Sequence, residues 1–154
     1  MKTILLVEDH QPDALLIMRT LGTVGITNPV RTVEDGELAI QYLLGNARYP
    51  RATHPLPGLV LLDLKLPGCT GHEVLNWIRS HPTLFNLPVI VLSGSNLSDD
   101  IELAGKLGAN AYLLKPCGKT GAGDLARRLS EFRTRHPALF QEDDPVPIQP
   151  HPAA

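Results

Sequence analysis

Cysteine is scarce: the 154 residues contain two, Cys69 and Cys117. Two thiols do not build a disulfide framework, which sets the chain apart from small secreted scaffolds. An excess of one charge is also missing, since 14 Lys and Arg stand against 16 Asp and Glu, a net charge of −2. That balance gives no electrostatic footprint for DNA or an anionic membrane. No apolar run approaches the roughly 20 residues of a membrane-spanning helix. Met1-Lys2-Thr3 leads straight into a strand-like run, with no secretory apolar region or small-residue cleavage site. The six histidines lack metal-ligand spacing, and no internal repeat points to a solenoid. These absences predict a cytoplasmic protein that binds neither DNA nor membrane directly. The length suits one domain with an adequate core.

What is present is organised around Leu59-Val60-Leu61-Leu62-Asp63. Four consecutive apolar residues suit a strand buried on both faces, as in a parallel sheet. Pro67-Gly68 turns the chain soon after, so Asp63 belongs where the strand leaves the sheet. Similar short runs are Ile4–Val7, Pro29–Val33, Val89–Leu92 and Ala111–Leu114. Between them lie helical spacings: Ala14, Leu15, Met18, Leu21; Ala39, Ile40, Leu43, Leu44; Val74, Leu75, Ile78; Ile101, Ala104, Leu107; and Leu125, Leu129, Phe132. Ser98 or Asp99 can cap the fourth helix. Residues 46–58, with three prolines, read as a polar surface loop. Strand-helix repeated five times predicts an α/β fold with a parallel sheet between two helix layers and right-handed crossovers. Residues 1–135 form this unit. Residues 136–154 carry five prolines and read as an arm or a disordered tail.

Parallel strands put their C-terminal ends on one edge, so Glu8, Asp9, Asp63, Ser93 and Lys115 converge there. Carboxylates crowded in one pocket repel one another. A hard cation with oxygen ligands relieves this, and Mg²⁺ suits the cytoplasm. Lys115 adds a compact positive charge and Ser93 a hydroxyl donor. Metal, ammonium, hydroxyl and backbone N–H groups make a cradle for a phosphoryl group, which a central carboxylate can accept covalently. The blander reading of Glu8-Asp9 is a solvated turn, and that of Tyr112 is core packing. Gly118-Lys119-Thr120 is no P-loop, because Leu113 stands where the motif needs its first glycine. Cys69 and Cys117 both follow strands at the active edge.

In order and spacing, Leu6-Val7-Glu8-Asp9, Leu61-Leu62-Asp63-Leu64-Lys65-Leu66-Pro67, Leu92-Ser93-Gly94 and residues 108–116 resemble the receiver domain of two-component response regulators, over roughly residues 3–135. The resemblance implies a flavodoxin-like (βα)5 sheet of order 2-1-3-4-5. It implies that Asp63 becomes a 4-aspartylphosphate by transfer from a sensor histidine kinase or a phosphotransfer protein. Asp9, Asp63 and the Lys65 backbone carbonyl would hold Mg²⁺, with Glu8 assisting. Lys115 and the Ser93-Gly94 turn would contact the phosphoryl group, and the Lys115–Pro116 bond would be cis. Ser93 and Tyr112 would move together, repacking the surface of the fourth helix, fifth strand and fifth helix.

The 46–58 insertion and the C-terminal extension resemble stand-alone regulators paired with phytochrome-type kinases. The expected role is signalling by protein contacts rather than enzymatic turnover. The rival is an interaction module that works unphosphorylated. Lys65 and Ser95 depart from the usual residues flanking the path of the hydrolytic water. Phe132, Leu139, Phe140, Val146 and Ile148 continue apolar past the last helix, which predicts a homodimer through the C-terminal helix and arm.

Overall fold

The computed structural model describes residues 1–116 and 121–141. The strands are β1 (Ile4–Val7), β2 (Val30–Val33), β3 (Leu59–Leu62), β4 (Val89–Ser93) and β5 (Ala111–Leu114). They alternate with α1 (Gln11–Thr23), α2 (Gly36–Leu44), α3 (Gly71–Ser80), α4 (Ser98–Lys106) and α5 (Ala122–Arg135). A 3₁₀ turn, Pro137–Leu139, follows. All the strands are parallel, in the order β2-β1-β3-β4-β5, which is the flavodoxin-like order.

The pleat divides the apolar strands between two cores. Leu5, Val7, Val60, Leu62, Val89 and Val91 face α2 and α3, together with Ala104 of α4. Ile4, Leu6, Leu59, Leu61, Ile90 and Leu92 face α1 and α5. Alternation with period two on strands buried on both sides is why β1, β3 and β4 read as unbroken apolar runs. Each such side chain contributes about 1.5–3 kcal/mol on burial.

The helix ends follow local chemistry. Asp35 caps α2 by accepting from Leu38 N at 2.7 Å, and Gly45 closes it in the left-handed conformation. Thr70 and Glu73 form a capping box at α3. The 46–58 segment is held as well as exposed. Arg51 donates to the C-terminal carbonyls of α2 at Tyr42 and Leu43, and Tyr42 Oη donates to Pro55 O at 3.1 Å.

Several expectations change. Leu15 and Met18 are exposed because α1 turns Ala14, Ile17 and Leu21 to the sheet, and Leu44 is exposed because α2 buries Ala39, Tyr42 and Leu43 instead. Ile101 is exposed too, and α4 buries only Ala104 fully. Leu97, not Ser98 or Asp99, is the α4 cap residue, and it has no capping side chain. Phe132 is buried in its own core, with Leu139 and Phe140 packed beside it. Within one chain these apolar groups pack on the α1–α5 side of the sheet, with Leu139 and Phe140 only partly buried. The prolines and apolar residues beyond 141, and Cys117 with the Gly118-Lys119-Thr120 stretch, lie outside the described residues. Among the described residues, no helix is long and apolar enough to cross a membrane.

Candidate functional site

Backbone ladders run one residue past the strands and fix the site. Glu8 N donates to Val33 O at 3.0 Å, Asp63 N to Val7 O at 3.1 Å, and Lys115 N to Ser93 O at 2.8 Å. Glu8, Asp63 and Lys115 thus leave β1, β3 and β5 at the same edge of the sheet, with β4 between the last two. Gly71 completes the floor: a Cβ there would lie 2.2 Å from Asp63 O, so only glycine lets α3 start this close to the central strand.

The sequence-predicted acids come together. Ligand oxygens of Glu8, Asp9 and Asp63 all lie within 4.8 Å of one another. Glu8 and Asp63 are buried, and Asp9 is exposed. Lys115 Nζ is in close ion contact with Glu8 Oε1, 3.0 Å from Asp63 Oδ2 and 3.2 Å from Asp13 Oδ2. Asp63 Oδ1 accepts from Lys65 N at 3.3 Å. The Lys65 side chain points into solvent.

One ammonium cannot satisfy this many carboxylates. Glu8 Oε2 is buried with no hydrogen-bond partner. Burial chiefly, with the Asp63 carboxylate adding to it, pushes Glu8 up to about 7 from an ordinary value of 4.5. An orphaned buried carboxylate oxygen beside two more carboxylates is a hard-oxygen donor set, and it fits Mg²⁺. Burial would lower the Lys115 ammonium, but hydrogen bonds to Glu8 and Asp63 outweigh it and raise the pKa. Burial likewise opposes the charge on Asp13, yet contacts from His10 and Lys115 lower its pKa.

The remaining predicted residues stand as follows. Ser93 is fully buried, and its Oγ accepts from Ser95 N at 3.1 Å. Gly94 has open space where a side chain would stand. Tyr112 is half-buried and already turned toward the β4–α4 loop, its hydroxyl donating to Ser95 O at 2.8 Å. The Lys115–Pro116 bond is trans, which corrects the cis expectation. Trans is the lower isomer by about 0.5–1 kcal/mol. Lys115 reaches its three carboxylates without the cis form, so nothing here offsets that preference.

Sequence reasoning missed Asp13. Its signal was available: it is an acid in the first turn of α1, just after Pro12 and four residues past Asp9.

A five-stranded parallel sheet with an acid cluster, a lysine and a buried serine at its C-terminal edge is the arrangement of a signalling receiver domain. The chain belongs to the response regulator family: the response regulator receiver domain matches residues 4–125. It is 40% identical over 130 residues to the probable methanogenesis regulatory protein FilR2 of Methanothrix harundinacea, spanning 84% of this chain and 80% of that one. It is also 40% identical over 114 residues to response regulator Rcp1 of Synechocystis, spanning 74% and 76%. The Mn²⁺-bound crystal structure of Rcp1 matches with a TM-score of 0.75 at 34% identity, over 95% of this chain and all of that one (100%). The phosphorylated cyanobacterial phytochrome response regulator RcpA matches with a TM-score of 0.74 at 39% identity, over 86% and 91%.

Proposed function

We propose that this chain is a stand-alone response regulator that accepts a phosphoryl group on Asp63 and signals through protein contacts. The observation that carries the reading is the placement of the Asp63 carboxylate, buried, 3.0 Å from the Lys115 ammonium and within 4.8 Å of the Glu8 and Asp9 oxygens. A nucleophilic carboxylate needs cationic groups beside it to neutralise the charge that it and the transferred group bring together. Asp63 attacks the phosphorus of a phosphohistidine; the P–N bond breaks, and the imidazole nitrogen keeps the electron pair. Glu8, Asp9, Asp63 and the Lys65 carbonyl are the residues that would hold Mg²⁺, which when bound would supply positive charge to offset that of the phosphoryl group. Lys115 pairs with the phosphoryl group, Ser93 donates its hydroxyl, and the Gly94 turn leaves room for it.

The donor is a sensor histidine kinase or a phosphotransfer protein, and similarity to the phytochrome response regulator RcpA supports a phytochrome-type kinase. The receiver unit covers residues 1–135, with 136–154 as an extension. A homodimer through α5 and that extension belongs to the same reading, tested by sedimentation of the full chain against one ending at 141. The protein acts in the cytoplasm, where such kinases present their phosphohistidine.

The test is incubation with acetyl phosphate and Mg²⁺. The chain should take up a hydroxylamine-sensitive label that Asp63→Asn does not. Label retained by Asp63→Asn contradicts the assignment. Full partner binding without any label would favour the phosphorylation-independent module.

A further inference from the structure

A lysine ammonium has three N–H donors, and those of Lys115 meet three carboxylates. They go to Glu8 Oε1, to Asp63 Oδ2 at 3.0 Å and to Asp13 Oδ2 at 3.2 Å. The three acceptors differ in what the site asks of them. Glu8 and Asp63 belong, with Asp9, to the group of oxygens that lie within 4.8 Å of one another. Asp13 stands outside that group, in the first turn of α1 and 102 residues before Lys115.

The start of α1 sets Asp13 between two basic groups. Its Oδ2 accepts from Lys115 Nζ, and its Oδ1 lies 3.1 Å from His10 Nδ1. Its side chain is 37% exposed, against 1% for Glu8 and 6% for Asp63, so of the three acids it meets the ammonium nearest to solvent. A hydrogen bond between two ionised groups is stronger than a neutral pair.

We infer that Asp13 is a positioning residue for phosphoryl transfer: it holds the Lys115 ammonium beside Asp63 while Glu8 and Asp63 change partners. The inference rests on the phosphoryl-acceptor reading above. In that reading Glu8 is a metal ligand, and one Asp63 oxygen becomes the ester oxygen of the acyl phosphate. Both tethers are thus drawn elsewhere when the ammonium is needed. Lysine carries its charge on a flexible four-carbon stem, and its strongly hydrated ammonium turns to water when nothing holds it. Asp13 takes neither role. Its carboxylate keeps one N–H and leaves the other two for phosphoryl oxygens. A charge already in place stabilises the transferring group without first reorganising. Asp13 touches neither phosphorus nor metal and acts only through Lys115.

Nitrogen-15 NMR of the lysine ammonium groups of the full chain tests the anchor, because an ammonium held by carboxylates exchanges its protons with water slowly. The Lys115 signal is the one lost in Lys115→Met. With Mg²⁺ bound, the wild type should keep a slow Lys115 signal, and Asp13→Ala should speed its exchange about tenfold. Asp13→Asn, which keeps an acceptor oxygen without the charge, should fall between. Beryllofluoride then serves as the phosphoryl mimic and acetyl phosphate as the donor. Asp13→Ala should bind the mimic about tenfold more weakly and take up label about tenfold more slowly. His10→Ala, which removes the other partner of Asp13, should match the wild type in exchange, mimic affinity and labelling. Equal losses in His10→Ala would overturn the anchor, since they would place the effect in the start of α1. So would a wild-type Lys115 ammonium that exchanges freely with Mg²⁺ bound, or an Asp13→Ala chain with unchanged exchange or unchanged mimic affinity. Where Asp13→Ala does not fold, Asp13→Asn carries the test, and wild-type values in that variant would overturn the anchor too. A wild-type chain that binds no mimic contradicts the phosphoryl-acceptor reading instead, and the ammonium signal with Mg²⁺ still decides whether Asp13 holds Lys115.

Discussion

Lys115 Nζ stands 3.0 Å from Asp63 Oδ2, a pair 52 residues apart in sequence that the sheet brings together at the ends of β3 and β5. The same ammonium holds Glu8 and Asp13. It is the cation around which the acid edge is balanced, and removing it leaves buried carboxylate oxygens without a partner.

Lys115→Met should therefore lower stability by about 1–3 kcal/mol at pH 8, the cost of an unsatisfied buried polar group. The loss should shrink toward pH 6, where Glu8 takes up a proton instead. Urea unfolding at the two pH values measures it. An equal loss at both would show that the ammonium does not neutralise Glu8.

Glu8 also sets a pH dependence. Its carboxyl is raised to about 7 from 4.5 by burial, so between those values the metal-free fold holds a proton that the unfolded chain has released. The stability from this group is complete below about pH 4.5 and is lost as pH rises through about 7. Glu8→Gln should flatten that slope. Mg²⁺ needs the carboxylate, so its affinity should rise between pH 6 and pH 8 and release a proton. Calorimetric titration in buffers of different ionisation enthalpy reads both effects. A pH-independent affinity would contradict them.

A cavity of about 250 Å³ opens beside Glu8, and exposed Leu15 and Met18 of α1 line it. Apolar side chains next to the phosphoryl site suit a docking helix of the kinase. Leu15→Glu with Met18→Glu should cut transfer from a phosphorylated kinase at least tenfold and leave labelling by acetyl phosphate unchanged. A parallel loss with both donors would mean that the substitutions damage the site itself.

Away from the site, Arg79 donates to Gly108 O, Phe85 O, Leu87 O and Asn110 Oδ1 at 2.6–3.2 Å, joining α3 to the β4 and β5 entrances. Burial lowers its pKa. Arg79→Ala should cost about 2–4 kcal/mol, since several carbonyls lose a partner at once. Arg79→Lys should recover little of this, because one ammonium cannot span four separated acceptors. Thermal unfolding of the two variants distinguishes the outcomes.

Much of this was legible in the sequence, for a physical reason. The run Leu59–Leu62 is apolar at every position because both of its faces are covered, and that required a central parallel strand ending in Asp63. Convergence of Glu8, Asp9, Asp63 and Lys115 then followed from parallel topology. The strand order came from the family resemblance and is the one observed. What sequence could not supply were choices made by tertiary contact. Periodicity alone did not say whether α4 would present Ile101 or Ala104 to the sheet. Arg51 and Arg79 look like ordinary surface arginines until their backbone carbonyl partners are known. Ser95 looked like a neighbour of the reacting atoms, yet its hydroxyl turns to Asp100.

The most direct measurement is chemical mapping of the modified residue. After acetyl phosphate and Mg²⁺, borohydride reduces an acyl phosphate to an alcohol that survives digestion, and peptide mass analysis locates it. Reduction confined to position 63, and absent when Mg²⁺ is withheld, is the expected result. Reduction at Glu8, Asp9 or Asp13, or none anywhere, would contradict a phosphoryl-accepting edge centred on Asp63.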